Sequence, residues 1–181
     1  MMNKRLKQGS TFLLAVALTF PLLTLPGAKA ASAIDTDKEC SIQFDIGGNS
    51  ELLNDDVTVQ VNLYKVATVD VSGNYTVTDA FTGLDLSSVS ADNLDTAATT
   101  WADRAKTAQG KLTDSEGNTV INPTETVTLQ NGRGYKDKLK TGLYLVDTPK
   151  VITTNYTYTF TPYLVSLLVY LQGKVRSSIY L

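Results

Sequence analysis

The sequence contains no histidine and a single cysteine, Cys40, among its 181 residues. Without histidine, Ser–His and Cys–His nucleophile systems are excluded, and so are ordinary zinc sites. One cysteine cannot form an internal disulfide, so the fold is not cross-linked by disulfides in the way that small exported domains often are. Cys40 is interpreted as a small, half-buried residue near the start of a strand. The length allows one domain of ordinary size, or two small ones.

The first thirty residues have the pattern of a secretory signal peptide. Basic residues at positions 4, 5 and 7 precede an apolar stretch at residues 11–25, which is too short for a comfortable membrane span. The small residues that mark the predicted cleavage region are Ala28, Ala30 and Ala33. We therefore expect residues 1–30 to be removed and the mature chain to be secreted, associated with the cell wall or surface, and without a membrane span. The alternative is an uncleaved N-terminal anchor, which the small residues disfavour.

Acidic residues outnumber basic residues once that segment is removed. Residues 1–30 contain four basic residues and no acid, so the mature chain has 12 basic and 18 acidic residues and a net charge of −6. Binding to nucleic acid needs a basic face that neutralises phosphates. No nucleic-acid partner is expected.

Beyond Cys40, the dominant pattern is period-two alternation rich in Thr, Val and Tyr and bounded by Gly, Asn and Asp. Strands are predicted at residues 41–46, 57–69, 75–81, 119–121, 126–130, 142–146, 151–152, 156–160 and 159–165. Residues 89–109 interrupt this pattern with helical spacing, and Trp101 is expected to pack onto the core. The fold class is thus predicted as mainly β, an immunoglobulin-like β-sandwich with one inserted amphipathic α-helix.

Lys65 is the unusual residue of the longest predicted strand. It lies on the apolar face that Leu63 and Ala67 are predicted to share. One interpretation is a lysine near a strand end, whose stem covers apolar surface while its ammonium reaches water. The other is a buried amine, whose burial lowers the stability of the fold unless another group compensates its charge.

Three segments, in this order, carry a resemblance to a known family: "VNLYKVATVDVSGNYTVTDAF", "LKTGLYLVDT" and "YTFTPYLVSL". Together they resemble the N-terminal domains of Gram-positive, sortase-assembled pilins of the collagen-adhesin B-type, immunoglobulin-like kind. The resemblance covers roughly residues 40–168. It implies a fimbrial subunit whose partners are other pilin subunits or host surface molecules.

The resemblance also implies roles for two residues. In that family, a first-strand lysine can form an intramolecular isopeptide bond with an Asn or Asp on a late strand, promoted by a nearby carboxylic acid. Lys65 matches the lysine, and Asp147 stands where the family's "YxLxET" box has its glutamate. The alternative for Asp147 is a turn residue before Thr148. Because no Asn or Asp follows Pro162, we expect that the usual bond does not close.

The resemblance ends before the C-terminus. We expect a pilin-type domain at residues 40–166 and an aberrant or truncated tail at residues 167–181, in which alternation is lost. This tail shows neither a pilin linkage lysine nor a sorting signal. The function expected is a non-enzymatic cell-surface structural protein, a pilin-like subunit. The alternative is a secreted β-sandwich adhesin that binds a glycan or a host matrix protein.

An enzyme is the least favoured class. The carboxylates are scattered through Asp- and Gly-containing turns rather than concentrated as a glycosidase pair would be. Calcium could be considered at residues 55–56 or 114–116, but neither stretch has the ligand pattern of a dedicated loop. No catalytic residue, cofactor or metal is therefore predicted.

Overall fold

The computed structural model describes residues 9–12, 33–47, 51–54, 56–87, 98–171 and 175–180. The prediction of a mainly β chain is confirmed, because strands that pair mainly antiparallel far outweigh the helical residues in the described part of the chain. The strands are β1 Gly9–Phe12, β2 Glu39–Asp45, β3 Val59–Val69, β4 Tyr75–Val77, β5 Glu125–Leu129, β6 Arg133–Lys140, β7 Gly142–Asp147, β8 Val151–Ile152, β9 Thr157–Phe160, β10 Tyr163–Val169 and β11 Val175–Tyr180. One α-helix, α1, spans Ala98–Gln109, and a 3-10 turn spans Asp79–Phe81.

A six-stranded antiparallel sheet forms the centre of the molecule. Its order is β11-β10-β7-β3-β4. The sixth strand, β5, pairs with the first half of β3, at Val59–Leu63, whereas β4 pairs with the end of β3, at Ala67–Val69. Two smaller sheets accompany it, β2-β6 and β1-β9-β8. Within the second of these, β1 runs parallel to β9.

Both faces of the six-stranded sheet are buried. The first core lies between one face and the strands β2, β6 and β9, and it contains Phe44, Leu63, Tyr144 and Val165. The second core lies between the opposite face and α1. Its sheet side chains include Leu143, Leu145 and Leu164, and its helix side chains are Trp101, Ala105 and Ala108. The expected packing of Trp101 is therefore confirmed, since 1% of this residue is exposed.

A bulge in β3 changes which face its residues occupy. The pairing with β7 shifts between Lys65 and Ala67, so that Ala67 joins the second core although Leu63 belongs to the first. The predicted common face of Leu63 and Ala67 is thereby corrected. Gly142, with φ of +150°, lies against the bulge: a Cβ there would be 2.5 Å from the Ala67 carbonyl oxygen and 2.9 Å from Lys65 Cε.

Most predicted strands occur within a few residues of their expected bounds. The exceptions are residues 119–121, where only an isolated bridge from Thr113 to Thr119 forms, and the end of the predicted strand at residues 75–81, where Asp79–Phe81 form the 3-10 turn instead of extending β4. The eight-residue β6 was not predicted. The second half of the predicted helix is confirmed as α1, and residues 88–97 lie outside the described residues.

The C-terminal boundary expected after residue 166 falls inside β10 and is corrected. Leu167 and Leu168 are both buried and belong to β10. Alternation is lost here because cores cover both faces of β10. Beyond a turn, β11 pairs antiparallel with β10 from Val169↔Val175 to Leu164↔Tyr180. Leu171, in that turn, is 62% exposed.

The predicted signal peptide lies mainly outside the described residues, and so do Ala28 and Ala30 of the cleavage region. The exception is β1, which pairs with β9 from Gly9↔Thr157 to Phe12↔Phe160. Ala33 is half-buried, and its carbonyl oxygen accepts a hydrogen bond from the Leu171 amide. In the part of the chain that the structure describes, no helix is both long and apolar enough to cross a membrane.

Candidate functional site

Lys65 is fixed through its backbone at the bulge of β3. Its amide donates a 2.9 Å hydrogen bond to Thr124 Oγ1, and its carbonyl oxygen accepts a 3.1 Å bond from Thr78 Oγ1. Across the ladder it is paired with Tyr144 of β7. These contacts hold the half-buried Lys65 side chain on the face of the sheet that carries Tyr144.

The Lys65 ammonium is partly desolvated and lies near the charge of Lys140 and the ring of Tyr144. Its Nζ is 6.0 Å from the centroid of the Tyr144 ring, at the outer limit of a cation–π contact. Burial lowers the pKa of Lys65, the positive charge of Lys140 lowers it further, and Cys40 acts in the opposite direction. Among the described residues, the Nζ atom has no hydrogen bond or ion pair.

Cys40 and Tyr144 complete the surroundings of Lys65 in the first core. Cys40 follows the first residue of β2 and is buried, and burial raises the pKa of its thiol to about 11. A thiol that stays protonated is a poor nucleophile. The Tyr144 hydroxyl donates a 2.8 Å hydrogen bond to the Lys140 carbonyl oxygen, and burial raises the pKa of this phenol. The Cys40 thiol and the Tyr144 phenol therefore stay protonated and neutral near pH 7.

Asp147, at the end of β7, contacts the helix instead. Its Oδ1 accepts a 2.6 Å hydrogen bond from Nε2 of Gln109, the last residue of α1. Burial raises the pKa of Asp147, and the bond from Gln109 only partly opposes that rise. The pKa of Tyr64 is also raised, first by burial and then by the charge of Asp147.

The two residues that the pilin resemblance selects therefore lie on opposite faces of one sheet. In β7, Tyr144 and Val146 belong to the first core, whereas Leu143 and Leu145 belong to the second. Asp147 continues the alternation of the latter pair and reaches α1, while Lys65 lies beside Tyr144. The structure does not bring the Lys65 amine and the Asp147 carboxyl together.

The turn at residues 114–116, one of the two considered for calcium, uses the Asp114 carboxylate internally. Asp114 accepts hydrogen bonds from the amides of Glu116 and Asn118 and from Asn118 Nδ2. Asp70 has an equivalent arrangement with Ser72 and Asn74. Asp55 lies outside the described residues, and within those residues no group of three or more His, Cys, Asp or Glu side chains could hold a metal.

One cluster of hydrogen bonds, centred on the carboxylate of Glu51, was not predicted from the sequence. This side chain accepts hydrogen bonds of 2.9 Å from Thr153 Oγ1, 2.6 Å from Asn155 Nδ2 and 2.7 Å from the Tyr158 hydroxyl. The bonds from Asn155 and Tyr158 lower the pKa of Glu51. The cluster joins the β2–β3 connection to the β8–β9 hairpin, and no local motif signals it because its members are about a hundred residues apart.

No family model, curated protein or solved structure matches this chain. The fold and site define a mainly β domain with antiparallel sheets, in which a half-buried lysine and a half-buried aspartate lie on opposite faces of the central sheet.

Proposed function

We propose that this chain is a non-enzymatic structural protein of a Gram-positive cell surface, a pilin-like subunit exported by its N-terminal signal peptide. One observation carries the proposal. The three segments that resemble pilin domains contain most of β3 and all of β7, and the third contains most of β10; these strands are consecutive neighbours in the six-stranded sheet. The three segments thus build one continuous block of paired strands at the centre of the sheet, which supports a shared domain architecture.

The same arrangement supports an immunoglobulin-like sandwich as the finer fold. The six-stranded sheet forms one layer, and β2-β6 with β8-β9 forms the layer across the first core. The helix α1 is then an addition to the outer face of the first layer, where a simple sandwich would meet water. Its partners in assembly would be other subunits or host surface molecules.

Within this proposal, Lys65 remains a free amine. The candidate acid Asp147 lies on the other face, and in the described part of the chain no carboxyl or amide side chain bonds to the Lys65 ammonium. Intact mass spectrometry of the exported protein tests this. We expect the full mass of the processed chain. Loss of one ammonia or one water, mapped to a peptide containing Lys65, would show that an isopeptide bond forms.

Export and surface location test the function itself. The full gene should be expressed in a Gram-positive host, with and without residues 1–30, and the cells fractionated and labelled with antibody. We expect cleavage between Ala28 and Ala33 and surface labelling that requires residues 1–30. Retention in the cytoplasm of the full chain, with an uncleaved N-terminus, would contradict the proposal.

A secreted adhesin is the second candidate, favoured by exposed apolar side chains on the β8–β9 hairpin. Ile152 and Tyr156 are 60% and 41% exposed, and the Tyr156 ring lies 5.9 Å from that of the anchored Tyr158. Aromatic side chains on rigid β scaffolds commonly contact ligands. Saturable binding on a glycan and matrix-protein array, abolished by Tyr156→Ala but retained by Val71→Ala on another exposed turn, would support this function.

A further inference from the structure

The strand β9 is bordered on its two sides by very different partners. On one side, β8 pairs with it through only two positions, Val151↔Tyr158 and Ile152↔Thr157. On the other side, the four residues of β1 pair with all four residues of β9 in parallel. The second side is therefore the longer hydrogen-bonding edge, and β1 is the strand that pairs with it among the described residues.

The β9 strand is held in place independently of β1. Tyr158 and Phe160 are buried in the first core, and the Tyr158 hydroxyl is bound to Glu51. These anchors come from residues of the proposed mature domain. The strand should keep its position when β1 is absent, so its edge is a preformed template of backbone N–H and C=O groups.

Removal of the signal peptide would take away β1 completely. Gly9–Phe12 lies within residues 1–30, and the cleavage region begins at Ala28. The processed chain would then carry an open edge along Thr157–Phe160.

A comparison with β6 shows that this edge lacks the usual protection. The strand β6 carries Arg133, Lys136 and Lys140, each in an ion pair, and Lys138 with a left-handed φ of +56° interrupts it. Charges and irregular backbone prevent unwanted strand pairing. The sequence of β9, Thr-Tyr-Thr-Phe, contains neither charge nor proline, and a strand does pair with it in this structure.

We propose that the β9 edge is a strand-acceptor site, which takes an extended, uncharged segment of a different polypeptide chain parallel to β9 after processing. A second copy of the processed chain cannot supply the β1 segment, because it has lost the same residues. Backbone hydrogen bonds would supply the affinity, as in other cases of strand addition. The proposal rests on the export and processing included in the proposed function.

The test uses the full chain, so that no truncated form has to fold. Ser10→Pro and Thr11→Pro together remove two backbone donors and should release β1 from the edge. The matched control has Asn3→Pro and Lys4→Pro, which lie outside β1. The probe is a labelled synthetic peptide of residues 8–13, and a peptide of the same residues in reverse order controls for composition. Binding is measured by fluorescence anisotropy, and amide exchange at residues 157–160 by mass spectrometry.

We expect the opened variant to bind the peptide at least tenfold more tightly than the unaltered chain and the proline control, because β1 competes within the chain. The reverse-order peptide should bind more weakly, and peptide binding should slow exchange at residues 157–160. Equal binding by all three proteins, or no slowing of exchange, would overturn the acceptor site. Self-association of the opened variant without peptide would overturn the assignment to a different chain.

The outcome can be separated from that of the proposed function. An uncleaved exported chain would refute the processing but leave the peptide measurements on the full chain valid. Conversely, normal export with no peptide binding would refute only the acceptor site.

Discussion

The two faces of the six-stranded sheet carry opposite chemistry. On the first face, the Lys65 amine lies beside Tyr144 and Cys40, and burial lowers its pKa. On the second, Asp147 is held by Gln109 of the helix, and burial raises its pKa. A lysine and an acid close in the strand ladder are thus separated by the sheet itself. Pairing register alone does not make a site, because alternation decides which core a side chain enters.

Removing the largest side chain of the second core should have the largest effect. Trp101→Ala should lower the free energy of unfolding by about 3–5 kcal/mol, since it leaves a cavity between helix and sheet. Urea unfolding followed by circular dichroism measures this. Lys106→Ala, exposed on the same helix, should change stability by less than about 0.5 kcal/mol. A loss below about 1 kcal/mol for Trp101→Ala would contradict a helix packed on this face.

The C-terminal part of β10 is tested by a pair of leucines. Leu168→Ala should cost about 2–4 kcal/mol, because Leu168 is buried with Ile34 and Val69. Leu171→Ala, at a largely exposed position, should cost less than about 0.5 kcal/mol. Chemical denaturation of both variants provides the comparison. Equal effects would mean that residues beyond 166 do not belong to the packed domain.

The close approach of β7 to the β3 bulge is tested at Gly142. A Cβ at this position would meet the Ala67 carbonyl oxygen and the Lys65 stem, and its backbone φ disfavours other residues. Gly142→Ala should therefore destabilise the fold by about 1–3 kcal/mol. Gly110→Ala is the control, because a Cβ there meets only ordinary contacts at 3.5 Å and beyond. Thermal unfolding that is unchanged in both variants would show that the bulge is not tightly packed.

The second face should show a pH dependence below neutrality. Because the folded pKa of Asp147 is raised, the stability linked to this carboxyl is present in acid and lost as pH rises through that pKa. Asp147→Asn keeps an oxygen that can accept the Gln109 bond. It should therefore be more stable than the parent chain at pH 7, by about 1 kcal/mol or less, with no advantage below pH 3.8. Melting temperatures of the variant and the parent chain across this pH range test the prediction. A stability advantage of Asp147→Asn that grows in acid would refute the burial effect.

The stability linked to Lys65, on the first face, should depend on pH in the alkaline range. The folded pKa of Lys65 is lowered, so the parent chain gains stability as pH rises through that value toward 10.5. Lys65→Met should be slightly more stable than the parent chain near pH 7, by about 1 kcal/mol or less, and should lose that advantage as pH rises. Lys150→Met, at an exposed position, is the control. A large destabilisation of Lys65→Met at pH 7 would reveal a favourable partner for the ammonium.

Alternation predicted the strands with a regular pattern, and its failures have physical causes. The strand β3 could be recognised because Val59, Val61 and Leu63 alternate with polar residues. The end of β10 could not, because a strand buried on both faces has no alternation to read. The strand β6 was missed because its charged residues are typical of a solvated loop, and their ion pairs depend on β2 and β5.

The candidate site was predictable in part. Lys65 was recognisable as a charge within an apolar pattern, and the structure places its side chain half-buried. The separation of Lys65 from Asp147 was not, because it depends on the helix covering one face and on the register with β7. The Glu51 cluster depends on contacts between distant parts of the chain, which no sequence pattern encodes.

The bridge between Ile34 and Tyr170 has a consequence for how the chain folds. It joins the first residues of the described domain to the end of β10, and hydrogen bonds from the Asp35 amide to Val169 and from the Leu171 amide to Ala33 support it. The pairing of β2 with β6 also links distant parts. Such a topology folds slowly, because long loops must close before their contacts form. The residues around Ile34 therefore cannot complete their pairing until the residues at the end of β10 have been synthesised.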